Sequence, residues 1–229
     1  MDDLKVKPAH VLYPAVVVSL IASYAAYVIA PEEAIMGDIY RILYIHVPSA
    51  WICYLAFSLS LICSILFLRN RKQSYDIMAE VAAILGLVYG AVALITGSIW
   101  ANTVWGLYWN WDPRETTTLI LWIAYLGYVS IKLSIGDAGK KAVIGAVYNI
   151  LAFLTVPLSY LSITLLPTLH PQIVSSSGIS ITLPMLGTLL VNLVGATIFF
   201  VYLFVVGNDV WTLEGRVEAL LHEHEMESE

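Results

Sequence analysis

Five histidines occur in the chain, and two of them stand where an imidazole needs a partner. His46 and His170 lie at the edges of long apolar runs, where an ionisable side chain is costly unless it is paired or liganded. A neutral imidazole is a good metal ligand and the common axial ligand of haem iron. Around His46 the sequence reads Ile45-His46-Val47-Pro48-Ser49-Ala50-Trp51. Pro48 suits a first helical turn, and Ser49 and Ala50 share the histidine's helix face and are small, so a flat macrocycle has room to approach. His170 sits in Leu166-Pro167-Thr168-Leu169-His170-Pro171. The proline after it biases His170 away from helical geometry, so this imidazole is expected on a stiffened loop. His10, ahead of the first apolar run, and His222 and His224, in the acidic tail, read as solvated residues, and the last two, being two apart, do not share a helix face on which to bind a metal.

Between the two histidines lies a dense aromatic segment, Trp105-Gly106-Leu107-Tyr108-Trp109-Asn110-Trp111-Asp112-Pro113-Arg114-Glu115-Thr116, with Trp100 just upstream. Tryptophan and tyrosine collect at membrane surfaces whatever the function. Four indoles within residues 100–111, followed by an aspartate and an arginine, form a more specific pattern. They would make a concave aromatic wall suited to the face and edge of a porphyrin. Arg114 fits two roles equally well, as a partner for a propionate or for Asp112.

The elements that must position these groups follow from composition. Of 229 residues, 59% are hydrophobic and 12% charged, against roughly a quarter charged in an average soluble domain. Six apolar runs are long enough to cross a bilayer: 11–30, 44–68, 77–98, 117–135, 142–166 and 183–206. The first is too long for a cleavable signal's apolar core and is read as a span. Lysine and arginine set the orientation. With six spans, Lys5, Lys7, Arg69, Arg71, Lys72, Lys132, Lys140, Lys141 and Arg216 share one side, and only Arg41 and Arg114 the other. Both termini are therefore expected in the cytoplasm. The loops at 31–43, 99–116 and 167–182 then face outward, and both histidines and the tryptophan segment meet on that face. The reading is an all-α integral membrane protein with six helices: a domain over 1–210, its tryptophan loop at about 100–116, and an acidic cytoplasmic tail over 211–229.

The formal charge of −6 says little about partners, since seven of the seventeen acids follow Val206 and belong to that tail. No basic stripe suggests nucleic acid. Cys53 and Cys63 are not a dithiol motif and read as buried thiols. Asp76 and Glu80 are expected in an interfacial ion cluster with Arg71 and Lys72, and Asn149 and Asn192 are candidates for hydrogen bonds between helices. No phosphate-cradling glycine loop and no carboxylate chain across the spans is present, so no hydrolytic, redox or pumping chemistry is expected of this chain.

The run Trp105-Gly106-x-x-Trp109-x-Trp111-Asp112-x-Arg114-x-Thr116 resembles the signature of the "WWD" haem-handling membrane proteins. Glu115 departs from the leucine expected there. Size, span count and the single histidine pair make the chain, up to about residue 210, similar to the haem exporter protein C family (CcmC) of system I cytochrome c maturation. That resemblance implies a prokaryotic inner membrane, His46 and His170 as transient axial ligands of haem b, and a haem surface formed by Ser49, Trp100, Trp105, Gly106, Tyr108, Trp109, Trp111, Asp112 and Arg114. It also implies delivery to the haem chaperone CcmE, a small membrane subunit CcmD, and an ABC-type pair CcmA and CcmB. The rival readings are a haem lyase of the same family, an electron-transfer cytochrome b and a small-solute permease. Lyases carry further histidines inside their spans, and such cytochromes hold haem deep between helices.

Overall fold

In the computed structural model, residues 8–175 and 178–228 are described; Lys5 and Lys7 lie outside them. The chain order is α1 (Pro8–Tyr24, continued by a wider turn over Ala25–Ile29), α2 (Leu43–Asn70), α3 (Gln73–Trp105), α4 (Pro113–Ser134), α5 (Ala138–Ala152), α6 (Thr155–Leu165) and α7 (Leu183–Ser228). Six helical stretches are long and apolar enough to cross a membrane, with α5 and α6 together making the fifth. The protein is an all-α membrane protein, as its composition leads one to expect. A hairpin of two short strands, β1 (Val174–Ser175) and β2 (Gly178–Ile179), lies in the segment between α6 and α7.

Small residues explain which helices pack most closely. The α2–α3 pair has the most extensive contact in the bundle. On α3, Ala79, Ala82, Ala83 and Ala93 are buried. A Cβ added at Gly86 would lie 2.5 Å from the Phe57 ring, so the missing side chain is what admits that ring. Close backbone approach through small residues is a general device for joining helices in lipid. Phe57 in turn stacks on Tyr125 of α4, ring centroids 3.5 Å apart, and both are fully buried.

Three boundaries differ from the sequence expectation, and each has a local cause. A 3-10 turn over Asp38–Ile42 runs directly into α2. His46 therefore lies a full turn inside the helix and Pro48 beyond the first turn, within the helix rather than at its start. α3 continues past the apolar run to Trp105 and stops where Gly106 adopts φ 75°, a left-handed helix end that suits glycine. The fifth span breaks between α5 and α6. Pro157 cannot donate to the carbonyl of Phe153 and its ring crowds that carbonyl, so the helix is interrupted at Phe153–Leu154.

Asp76 and Glu80 do not pair with Arg71 or Lys72. Lys132, 1% exposed, takes both: its ammonium lies 2.8 Å from each Asp76 oxygen and 3.1 Å from Glu80. Counting charges along a chain does not reveal which one turns inward. The two asparagines do join helices. Asn149 donates to Ser60 and Ser64 of α2, and Asn192 to the Ala22 carbonyl of α1.

Candidate functional site

His46 projects from α2, and α3 fixes its ring. The Thr96 hydroxyl donates to the Val92 carbonyl at 2.7 Å, so its oxygen is left to accept. The 3.1 Å contact between His46 Nδ1 and Thr96 Oγ1 is then a hydrogen bond donated by the imidazole. That places the proton on Nδ1 and leaves the Nε2 lone pair free. Gly97 makes room for the ring, since a Cβ there would stand 2.9 Å from His46 Cε1.

His170 arrives at the same place from the segment between α6 and β1. Its Nδ1 lies 3.0 Å from the Pro171 carbonyl, which can only accept, so this imidazole also carries its proton on Nδ1. Burial first, and then the positive charge of Arg114, hold its pKa below the ordinary imidazole value. The neutral form, the one able to bind a metal, is therefore favoured. The two ring centroids are 6.3 Å apart, with the planes inclined at 37°. Both rings thus present an unprotonated Nε2, each oriented from behind by an oxygen acceptor, the arrangement that supports metal-bound histidines.

The tryptophan segment closes around them through the start of α4. Asp112 is the N-cap and accepts from the Arg114 backbone N–H at 2.8 Å, and Pro113 follows at the first helical position. Glu115, three residues after the cap, accepts from the Asn110 N–H at 3.3 Å. A carboxylate reaching back over the cap in this way is a form of capping box, and it gives Glu115 a shaping role. Trp111 adopts φ 61°, an uncommon conformation for a bulky residue, and stands edge-on to Trp109 at 5.9 Å. Trp100 and Trp105, both on α3, are likewise edge-on at 5.2 Å.

One cavity gathers His46, His170, Trp100, Trp105, Trp109, Asp112 and Arg114. Four other residues singled out in the sequence do not line it. Ser49 is buried elsewhere, with Ala50 taking the cavity wall. Gly106 ends α3, and Tyr108 is exposed, its carbonyl accepting from the Ser98 hydroxyl. Trp111 is 72% exposed. Arg114 and Asp112 form no side-chain ion pair. The guanidinium donates to the Ser159 and Tyr160 carbonyls at 2.6 and 3.4 Å and lies over the Tyr54 ring at 5.6 Å. Tyr54 and Thr118 both meet the Ser159 hydroxyl at 3.0 Å, so α2, α4 and α6 are tied together beneath the cavity.

Thr96, Gly97, Tyr54 and Glu115 belong to the site and were not singled out as candidates in the sequence. Glu115 had a signal, since an acid three residues after an aspartate and shortly before an apolar run marks a capped helix start. The other three depend on how α2 lies against α3 and α6, and no local pattern carries that register.

The family model for heme exporter protein C matches residues 4–222. The chain is 32% identical over 194 residues to the heme exporter protein C of Bradyrhizobium diazoefficiens, covering 84% of this chain and 74% of that protein. It is 32% identical over 180 residues to a putative cytochrome c biosynthesis ccmC-like mitochondrial protein of Marchantia polymorpha, covering 78% and 75%. It is 29% identical over 180 residues to the heme exporter protein C of Haemophilus influenzae, covering 77% and 73%.

Proposed function

Because the chain belongs to the heme exporter protein C family, we propose that it carries haem b as cargo between His46 and His170 and passes it to the chaperone CcmE. A role in haem handling within cytochrome c biogenesis, alongside other components of that system, comes with the family. To that role the proposal adds the handover, the ligand pair and an outward-facing site. CcmD and the CcmA–CcmB pair are its further partners, and a prokaryotic plasma membrane is its location.

The observation that carries this reading is the spacing of the imidazoles. A metal–nitrogen bond of about 2 Å, plus about 1.2 Å from nitrogen to ring centre, sets two trans imidazoles about 6.4 Å apart. The rings stand at 6.3 Å, both with Nε2 free. The indoles of Trp100, Trp105 and Trp109 supply the apolar wall a porphyrin needs, and Arg114 is the cation in the cavity for a propionate. Two imidazoles saturate an iron and guard it from side reactions, so delivery requires one of them to let go. His170, on a loop, is the ligand that yields, and His46, gripped between two helices, is the one that stays.

An absorption spectrum of the purified protein tests the reading. The wild type should show a six-coordinate, bis-imidazole haem, and His46→Ala and His170→Ala should each lose it. His46→Ala should also lose most of the haem, whereas His170→Ala should keep a larger share. A bis-imidazole spectrum surviving in either variant removes that histidine from the site. A reversible haem couple reduced by quinol would favour the electron-transfer reading instead.

A further inference from the structure

The aspartate of the tryptophan segment spends its carboxylate on the loop that carries His170. Asp112 is 6% exposed. One of its oxygens accepts from the Thr168 hydroxyl at 2.7 Å and from the Arg114 N–H at 2.8 Å. The other lies 2.9 Å from the same hydroxyl and accepts from the Leu169 N–H at 2.7 Å. Thr168 Oγ1 then accepts the His170 backbone N–H at 3.0 Å. A continuous chain of hydrogen bonds thus runs from the N-cap of α4 to the backbone of His170.

Among the described residues, bonds to neighbouring parts of the chain hold the two ends of this segment. Leu166 N–H bonds back to Ser162, and Gln172 donates to the Ile163 carbonyl. Between them, Pro167 and Pro171 have no N–H to offer and fixed φ angles, so the stretch from 168 to 170 is stiff and tends to move as a unit. Among the described residues, its side-chain bonds to the helical bundle converge on Asp112.

We propose that Asp112 and Thr168 form a latch that sets whether His170 is held against the cargo iron or surrendered. The latch rests on the haem-handling reading above and assigns control of release within it. Asp112 acts here as a positioning residue: its bonds reach the ligand through Thr168 and Leu169. Thr168 does not line the cavity, so its substitution changes the loop's tie without touching the cargo. Opening the latch exchanges two charge-assisted hydrogen bonds, from the Thr168 hydroxyl and the Leu169 N–H, for solvation, and release needs no bond-making by this chain.

Full-length, haem-loaded protein in lipid nanodiscs tests the latch by two readouts: the low-spin spectrum and the rate of haem loss to excess apomyoglobin. Thr168→Val keeps the shape and removes the hydroxyl. It should convert much of the haem from six-coordinate to five-coordinate, with added imidazole restoring the low-spin form, and should speed haem loss about tenfold or more. Thr168→Ser should behave as wild type. A Thr168→Val protein with wild-type spectrum and wild-type loss rate overturns the latch. Should that variant fail to fold, Thr168→Ala carries the same test, and unchanged spectrum and rate there are equally fatal. A wild-type protein without any bis-imidazole spectrum would instead overturn the haem reading itself.

Discussion

The imidazole of His170 is kept neutral by two effects that act in the same direction. Burial penalises the charged form most, and the Arg114 guanidinium adds to it. A base whose folded pKa is lowered binds fewer protons folded than unfolded over the window below about pH 6.5, its ordinary value. The docked loop should therefore be most stable above that pH and loosen as pH falls toward the folded pKa. In haem-free protein, the His170 titration followed by imidazole NMR should have its midpoint below the ordinary value, and Arg114→Gln should move it upward. An unmoved midpoint would show that burial alone is responsible. The sequence made both histidines conspicuous, because a lone polar ring at an apolar boundary stands out in one dimension. It gave no sign of Thr96, Gly97 or Thr168. A threonine that sets a tautomer or ties down a loop is identified only by the atom it faces.

At the scale of elements, Lys132 shows how a charge can hold helices rather than face water. It joins α4 to α3 through Asp76 and Glu80, and α5 packs over it: a Cβ at Gly145 would stand 2.8 Å from Lys132 Cδ. Removing one partner of such a cluster leaves the others buried and uncompensated. Lys132→Met should lower stability by about 3–5 kcal/mol, read from thermal unfolding in detergent. Adding Asp76→Asn and Glu80→Gln should recover much of that loss; no recovery would refute the ion-pair account. The apolar runs were legible because lipid requires about 20 apolar residues per span. Their ends were not, since Gly106, Asp112 with Pro113, and Pro157 set the termini by backbone geometry that hydropathy does not register.

For the whole molecule, the proposed orientation rests on nine basic residues against two. It places Arg71, between α2 and α3, in the cytoplasm and Tyr108, beside the cavity, outside. Single cysteines at those two exposed positions, in a background with Cys53 and Cys63 replaced, should react with a membrane-impermeant maleimide from opposite sides of sealed vesicles. Labelling of both from one side would dissolve the outward-facing site. One turn of α2 beyond Cys53 and Tyr54 of the cavity wall, the Phe57–Tyr125 stack packs α2 against α4, with Gly86 pressed against it. A tetrapyrrole is far too broad to slip past two aromatic plates in contact. On the haem-handling reading proposed above, the gap between α2 and α4 is therefore barred to the guest, and its dwell time in the recess is set by the segment that carries His170.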